Sequence, residues 1–305
     1  MTVSALAAPD AGSRTAWTFD AIGTPWQIET SGELPSDARA TVGALIDRFD
    51  AEWSRFRDDS LVSLLARGAG AVPAPPDAKD MLEAFDEIST ATSDAVNPLV
   101  GASLASLGYD AAYTLEAGHA VPAPTDWRAR LRVDGDRLRQ SGGGVVDVGA
   151  LGKGRLVDRV ADALAPWCTD GPLVVDAGGD LAVRGATRRI GLEHPYDPSR
   201  AIGVWTVTDA ALCASATNRR AWGDGLHHVL DARTGLPVRT VVATWALAAS
   251  AMRADAAATA LFFDGGAELA HRWGVAWVRM LSSGRVEWSP GCAAELFTRA
   301  GSVGS

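Results

Sequence analysis

Residues 147–158 (DVGALGKGRLVD) place a glycine-rich turn with one lysine between two apolar segments. Residues 143–148 (GGVVDV), before the turn, are predicted to form a short buried strand. After the turn, Leu156, Val160 and Leu164 recur at helical spacing, so a helix is expected to begin there. Free N–H groups and the helix dipole at a helix start attract anions. The sequence therefore predicts a turn at which a phosphate can dock, with a tight turn of purely structural role as the alternative.

Several familiar motifs are absent from the chain. The turn is not a Walker A loop, because Asp147 stands at the first glycine of that motif and Gly154 at its final Ser or Thr. The pattern GxGxxG does not occur, which excludes the dinucleotide-binding fingerprint. HExxH, GxSxG and Cys–His signatures are also missing, and this argues against a zincin, an α/β-hydrolase or a cysteine protease.

Composition limits the partners of the protein. The 305 residues carry a net charge of −9, and no Lys/Arg run exceeds two residues, so a nucleic-acid partner is not expected. Cys168, Cys213 and Cys292 are far apart, which predicts neither a disulfide framework nor a zinc site. No apolar stretch approaches the roughly 20 residues that span a bilayer. We expect no export signal and no membrane anchor, and a disordered tail at residues 1–15.

Apolar spacing predicts an α+β architecture, because helices and strands are mixed without the regular alternation of a doubly wound sheet. The predicted elements are a strand at 17–30 interrupted at 23–25, helices from Val42 to Phe56, from the capping residue Ser60 to Leu65 and from Met81 to Ile88, a loop at 71–76, a hairpin at 130–140, strands at 173–175, 205–207, 242–248, 275–281 and 286–288, and an alanine-rich helix at 252–263.

Asp255 and Thr259 are four residues apart on the predicted alanine-rich helix and therefore share one face. Both offer the oxygen ligands that Mg²⁺ or Ca²⁺ prefers, and a single carboxylate leaves positions for water and substrate phosphate. Two alternatives need no metal: either the helix face that carries Asp255 and Thr259 is simply solvent-exposed, or the Thr259 hydroxyl donates a hydrogen bond back to its own helix.

Two further segments contain candidate site residues. Residues 177–180 (AGGD) follow an apolar strand, and the two glycines allow close approach of a ligand or form an ordinary hairpin turn.

His227 and His228 precede a strand that ends in a polar turn, and a histidine can take a proton from a hydroxyl nucleophile. Neighbouring residues of a strand point to opposite faces, so at most one of the two should reach a given site. The alternative is one surface histidine and one core histidine.

Taken in order, these motifs resemble the FAD:protein FMN transferase (ApbE) family over nearly the whole chain. The resemblance implies one domain at residues 16–301, an ApbE-like mixed fold with antiparallel sheets packed with helices and an active site in a cleft between two subdomains. The segments that carry it are 22–24 (IGT), 54–60 (SRFRDDS), 147–158, 177–180, 228–237 and 254–259 (ADAAAT).

The resemblance implies an enzyme that cleaves the pyrophosphate of FAD, attaches FMN to a Thr or Ser hydroxyl of an acceptor flavoprotein, and releases AMP. It implies Mg²⁺, with Mn²⁺ as the alternative, held by the Asp255 carboxylate, the Thr259 hydroxyl and the Ala150 backbone carbonyl. Lys153 would contact phosphate and His228 would activate the acceptor hydroxyl, so the implied catalytic residues are His228, Asp255 and Lys153. The implied FAD-binding residues are Phe56, Asn97, Lys153, Gly178, Gly179, Asp180 and His228.

Three segments depart from the family pattern. The chain reads Ile-Gly-Thr at 22–24, Asp-Ala-Val-Asn-Pro at 94–98 and Ala-Ser-Ala at 214–216, where the family commonly has Met-Gly-Thr, Gly-Ala-Phe-Asp-Pro and Thr-Ser-Gly. Asn97 and Ala216 leave open the alternative of a protein that binds FAD without turnover. A second alternative is an FAD pyrophosphatase, which yields free FMN and AMP if water outcompetes the acceptor hydroxyl. Without an export signal, we expect a cytoplasmic protein whose acceptor is soluble or lies on the cytoplasmic face of a membrane.

Overall fold

The computed structural model describes residues 5–6, 14–68, 70–169 and 171–297. The helices are α1 Ser36–Trp53, α2 Leu61–Ala66, α3 Ala78–Ala91, α4 Gly101–Ser106, α5 Trp127–Arg130, α6 Gly152–Leu164, α7 Ala251–Ala260 and α8 Gly266–Arg272, with a 3-10 turn at Ala165–Trp167. The strands are β1 Ala5–Leu6, β2 Thr15–Ala21, β3 Thr24–Thr30, β4 Ala71–Pro73, β5 Leu131–Asp134, β6 Arg137–Gln140, β7 Leu173–Ala177, β8 Asp180–Arg184, β9 Thr187–His194, β10 Asp197–Thr208, β11 Ala211–Ala216, β12 Ala221–Trp222, β13 Leu226–His227, β14 Leu230–Asp231, β15 Leu236–Pro237, β16 Val241–Ala248, β17 Ala276–Leu281, β18 Val286–Trp288 and β19 Glu295–Leu296.

An antiparallel sheet of eight strands, ordered β18-β17-β16-β11-β8-β7-β3-β2, forms the centre of the molecule. One of its faces packs on α1, α6 and α7, and the other on a four-stranded sheet, β1-β9-β10-β19. Neighbouring residues separate accordingly, since Val175 and Cys213 belong to the helix-side core, whereas Val174 and Leu212 belong to the core between the sheets. Both faces are buried, which explains why these strands read as continuous apolar runs. The predicted α+β class is confirmed.

Most predicted elements occur in the structure. The hairpin β5–β6, the strands β7, β16, β17 and β18, and the helices α1, α3 and α7 agree with the prediction within a few residues. Ser60 caps α2 as predicted, because its Oγ accepts a hydrogen bond from the Ser63 N–H at 3.1 Å. The strand predicted at 205–207 is part of the much longer β10.

Three predictions are wrong. Residues 143–148 form only an isolated bridge between Val145 and Val100, because Gly142, Gly143 and Gly144 take positive φ angles that an extended strand does not allow. The predicted loop at 71–76 contains β4, which pairs with β6 at the edge of a small sheet. Phe56 is not on the helix, since α1 ends at Trp53 and the backbone of Ser54 is extended.

The predicted tail at residues 1–15 lies mostly outside the described residues. Its described parts are Ala5–Leu6, which pair with β9, Arg14, and Thr15, at which β2 begins. In the part of the chain that the structure describes, no helix is both long enough and apolar enough to cross a membrane.

Candidate functional site

A cavity of about 550 Å³ lies over the helix side of the large sheet. Its wall is formed by the β2–β3 turn, the chain after α1, the start of α6, the β7–β8 turn, the end of β11, the segment before β14, and α7. Of the residues predicted for the site, the lining contains Phe56, Asn97, Ala150, Lys153, Gly178, His228, Asp255 and Thr259. Gly179 and Asp180 are not among the lining residues.

Close packing of α6 against α7 positions two of these side chains. The Gly154 N–H donates to Asp255 Oδ2 at 2.9 Å, and a Cβ on Gly154 would overlap the Ala251 carbonyl oxygen. Asp158 accepts hydrogen bonds from the N–H groups of Ala251 and Met252, at 2.7 and 2.9 Å, and so joins α6 to the start of α7. The second glycine of Gly-Lys-Gly is therefore required by helix contact, and the contact brings Lys153 and Asp255 to one place.

Lys153, Asp180 and Asp255 form a charged cluster in which the two aspartates are buried and the Lys153 side chain is 26% exposed. Lys153 makes an ion pair with Asp180 Oδ2, while Asp180 Oδ1 is buried with no hydrogen-bond partner among the described residues. Burial opposes the charge of Lys153, but attraction to Asp180 and Asp255 outweighs it and raises the Lys153 pKa. Burial, together with repulsion from Asp180, raises the pKa of Asp255 to about 7. When all three are ionised the cluster carries one excess negative charge, which favours a bound cation.

The oxygen atoms beside this cluster fit a divalent metal. Asp255 Oδ1 and the Thr259 hydroxyl make no hydrogen bond within the described chain, and both residues line the cavity with Ala150. A carboxylate, a hydroxyl and a backbone carbonyl are ligands suited to Mg²⁺. The described residues contain no group of three or more His, Cys, Asp or Glu that could hold a metal. These three ligands would therefore need water or phosphate oxygens to complete the coordination.

The two adjacent histidines have different roles in the structure. His227 is the last residue of β13, and its ring is held by the Val238 carbonyl oxygen at 2.8 Å and the Val229 N–H at 3.3 Å. His228 lines the cavity, and its Nδ1 is buried without a hydrogen bond to any described residue. Burial, and then the charge of Arg220, lowers the pKa of His228 to about 3. His228 is therefore neutral at physiological pH and can exchange a proton through Nε2.

The glycine pair at 178–179 forms a hairpin turn, and Gly178 is also part of the cavity wall. It connects β7 to β8, with φ angles of 62° at Gly178 and 107° at Gly179. A side chain on Gly178 would overlap the Thr24 hydroxyl. Asp180 on β8 pairs with Cys213 on β11, so its side chain faces the helix layer. There it contacts Lys153 from the side of the sheet.

Two of the departures from the family pattern have a structural description. Asn97 is buried, and its amide group donates to the Pro124 carbonyl oxygen at 2.9 Å and accepts from the Leu99 N–H at 2.8 Å. The oxygen and the nitrogen of this amide both make hydrogen bonds that hold a loop. The predicted contact of Asn97 with FAD therefore stays a prediction. Ala216 ends β11 and is among the lining residues of the cavity, while its side chain belongs to the core between the two sheets.

Apart from Phe56, sequence reasoning missed a second cluster, which is made of arginine and aromatic residues. Arg55 lies over the rings of Phe56 and Tyr109 at 4.2 and 5.0 Å from the ring centroids, and Arg220 lies 5.8 Å from the Tyr109 ring. Tyr113 stacks on Phe56 with ring centroids 5.1 Å apart. These residues come from three segments with no shared pattern. The only available signal was that residues 54–60 carry part of the family resemblance.

The site as a whole is suited to an anionic nucleotide. It combines a cation-binding acidic cluster, a lysine at a helix start, and an aromatic wall for a planar ring. The fold and the lining of the cavity therefore define a candidate nucleotide-binding protein.

The family model described as ApbE family matches residues 22–277. This chain therefore belongs to the ApbE family, as its motifs predicted. A relative from Rhodobacter capsulatus, named FAD:protein FMN transferase, is 29% identical over 272 residues, which cover 81% of this chain and 51% of the relative. A relative of the same name from Treponema pallidum is 28% identical over 279 residues, which cover 80% of this chain and 77% of the relative.

A solved structure has the same fold. The crystal structure of the ApbE protein from Thermotoga maritima superposes with a TM-score of 0.79 and 22% identity, covering 91% of this chain and 97% of that one. At this identity the likeness concerns the fold alone. The chain spans about half the length of the Rhodobacter relative that it matches, at 51%.

Proposed function

We propose that this protein is an FAD:protein FMN transferase. It would cleave the FAD pyrophosphate, attach FMN to a Thr or Ser hydroxyl of an acceptor flavoprotein, and release AMP. The observation that carries the proposal is the charged cluster of Lys153, Asp180 and Asp255, of which Lys153 and Asp255 line the cavity of about 550 Å³. Family membership and the names of the relatives support it.

Asp255, Thr259 and the Ala150 carbonyl are the residues that would hold Mg²⁺, or Mn²⁺ as the alternative. The bound metal would neutralise charge on the pyrophosphate and orient it for in-line displacement. The excess negative charge of the Lys153–Asp180–Asp255 cluster supports this assignment, because a cation would offset it.

Lys153 binds a phosphate oxygen in this proposal. Its raised pKa keeps the ammonium group charged, and Asp180 fixes the side chain from the sheet side. The dipole of α6 adds partial positive charge at the same end, where the Gly152 and Gly154 N–H groups already donate to the Val148 carbonyl oxygen and to Asp255. Lys153 and the helix start thus stabilise the charge that develops as the bond to AMP breaks.

His228 accepts the proton of the acceptor hydroxyl at Nε2. The hydroxyl oxygen then attacks the phosphorus of the FMN half of FAD, and the bond between this phosphorus and the AMP oxygen breaks. Burial, and then the charge of Arg220, lowers the pKa of His228. A negatively charged pyrophosphate beside Arg220 would offset this charge and make His228 a stronger base.

AMP release from FAD tests the proposal when Mg²⁺ is present, with and without a candidate acceptor. The wild type is compared with Asp255→Asn, which keeps an oxygen for the Gly154 N–H, and with Asp162→Asn, which changes an exposed carboxylate on α6. We expect AMP and an acceptor heavier by one FMN with wild type and Asp162→Asn, and neither with Asp255→Asn. Free FMN without acceptor modification would favour a pyrophosphatase, and FAD binding without any AMP would favour a carrier.

We further propose that the protein acts in the cytoplasm, on a soluble acceptor or on the cytoplasmic face of a membrane protein. The cysteines Cys168, Cys213 and Cys292 are free, as is usual in a reducing compartment, and this supports the location. Cell fractionation followed by an antibody against the full chain tests it, since recovery outside the cytoplasm would contradict the proposal.

A further inference from the structure

Arg220 differs from the other lysine and arginine residues of the cavity wall, because it has no carboxylate partner in the described part of the chain. The others are each paired, Arg55 with Asp147, Arg57 with Asp59, Lys153 with Asp180, and Arg219 with Glu193. The half-buried guanidinium of Arg220 makes no hydrogen bond to any described residue and lies 5.8 Å from the centroid of the Tyr109 ring. Its charge is therefore not neutralised within the described chain and is available to an anionic ligand.

The short hairpin β12–β13 places Arg220 beside His228. Ala221 pairs with His227 in this hairpin. The pairing continues by one residue, since the His228 N–H donates to the Arg220 carbonyl oxygen at 3.2 Å. Residues that face each other across antiparallel strands point their side chains to the same side, with Cβ atoms about 5 Å apart. Both residues line the cavity, so the guanidinium lies next to the imidazole that would accept the hydroxyl proton.

Arg220 is also close to the opposite end of the proposed reaction. Electrostatic interactions connect its charge with Lys153 and Asp255 as well as with His228. In an in-line displacement the attacking and leaving oxygens lie on opposite sides of the phosphorus, and the nonbridging oxygens point sideways between them. A guanidinium between His228 and Lys153 therefore faces these nonbridging oxygens.

We propose that Arg220 is a catalytic residue that binds the nonbridging oxygens of the phosphoryl group under attack, in the FMN half of FAD. The inference rests on the proposed function and adds a contact to the reacting group itself. Negative charge is spread over these oxygens in the transition state, and the planar guanidinium can donate two N–H groups to them. Lys153 shares its charge with Asp180, whereas Arg220 has no internal counter-charge in the described chain.

The rate of AMP release and the affinity for FAD together test this role. Wild type, Arg220→Met, Arg220→Lys and a control, Arg189→Met on the four-stranded sheet, are compared with Mg²⁺. AMP release is followed in a single turnover at saturation with acceptor present, and FAD affinity by calorimetry without acceptor.

We expect Arg220→Met to slow AMP release by about a hundred- to a thousandfold, the range for loss of a donor to transition-state charge. The affinity for FAD should fall by at most about tenfold, because the contact is stronger in the transition state than in bound FAD. Arg220→Lys should fall between wild type and Arg220→Met, since it keeps the charge and loses the fork of donors. Arg189→Met should match wild type in both measurements.

An unchanged rate at saturation in Arg220→Met would overturn the proposal. Together with weaker FAD affinity, it would mean that Arg220 binds FAD without favouring the transition state, and with unchanged affinity that it does not contact FAD. Thermal unfolding of each variant is measured in parallel. A slower rate that accompanies a lower Tm, equally in Arg220→Met and Arg220→Lys, would mean that Arg220 supports the fold, and this would also overturn the proposal.

Failure of this inference can be distinguished from failure of the proposed function. Wild type alone decides whether the acceptor gains FMN. If water attacks the same phosphorus instead, AMP is still released, and slower release by Arg220→Met would retain the role of Arg220 and reject the transferase. Transfer by Arg220→Met at the wild-type rate would retain the transferase and reject the role of Arg220. A wild type that releases no AMP would reject both.

Discussion

Asp255 carries a burial cost that a metal would relieve. Its carboxylate is surrounded by α6 and α7, accepts one N–H from Gly154, and lies near the charge of Asp180. These conditions raise its pKa from 3.8 to about 7, so protonation is favoured in the folded protein without metal. The protonation of this one buried side chain therefore makes the stability of the protein depend on pH, and under the proposed function it also makes that stability depend on a bound metal.

Asp255 should make the metal-free protein less stable as pH rises from about 4 to about 7. In this window the folded state holds a proton that the unfolded state has released, so the free energy of unfolding falls with increasing pH. Asp255→Asn should flatten this part of the dependence of Tm on pH, whereas Asp162→Asn should leave it unchanged. Mg²⁺ should raise Tm more at pH 8 than at pH 5, because it binds the ionised carboxylate. Thermal scans across this range measure both effects, and parallel curves for wild type and Asp255→Asn would contradict the account.

The pair of helices α6 and α7 builds the part of the cavity that contains Lys153 and Asp255. Their contact depends on Gly154, where a side chain would overlap the Ala251 carbonyl oxygen and approach the Asp255 Cβ to 2.7 Å. Asp158 adds two hydrogen bonds to the first N–H groups of α7. A change at this contact should therefore affect stability and the active site together.

Gly154→Ala should destabilise the protein by about 1–3 kcal/mol, because the added methyl forces α6 away from α7. Gly43→Ala is the matched control, since Gly43 lies within α1 and a Cβ there would meet no atom within 4 Å. This control should stabilise the protein by about 0.5–1 kcal/mol, the usual gain of alanine over glycine in a helix. Urea unfolding of the two variants compares them. Equal or greater stability of Gly154→Ala would refute the tight helix contact.

The eight-stranded sheet joins two cores into one molecule. Leu212 and Cys213 are neighbours on β11, yet Leu212 belongs to the core between the sheets and Cys213 to the core beneath the helices. Each central strand therefore contributes to both cores. Loss of packing on one face of the sheet should therefore destabilise the packing on the other face as well.

Leu212→Ala should cost about 2–5 kcal/mol, the range for a buried leucine that leaves a cavity. Because β11 is shared, amide hydrogen exchange should accelerate both in β9–β10 and in α6–α7. Peptide-resolved exchange measured by mass spectrometry follows the two layers separately. Faster exchange confined to β9–β10 would show that the layers unfold independently, contrary to this expectation.

Secondary structure could be predicted from the sequence where a single local interaction determines the backbone conformation. The helix after Lys153 follows from apolar spacing, the start of α2 from the Ser60 cap, and the hairpin at Asp134-Gly135-Asp136 from turn chemistry. The failures occurred where local signals conflict with backbone geometry. Residues 143–148 look like a strand, but the positive φ angles at Gly143 and Gly144 prevent it.

The site was predictable in part for the same reason. Lys153, Asp255 and Thr259 belong to short motifs. Lys153 and Asp255 could therefore be proposed as site residues from the sequence alone, without knowledge of the contact between α6 and α7. Membership in the ApbE family likewise depends on short segments in a fixed order, which the chain carries in its primary structure.

Contacts between distant segments have no local signature. The pairing of Arg55 with Asp147 joins residues 92 positions apart, and the wall of Phe56, Tyr109 and Tyr113 exists only because two loops meet. The sequence alone was sufficient for the family, the α+β class and the motif residues, because these depend on neighbours in the chain. Folding was needed to bring the arginine and aromatic cluster together, and to bury the charges that set the pKa values of Asp255 and His228, because burial depends on what packs around a group.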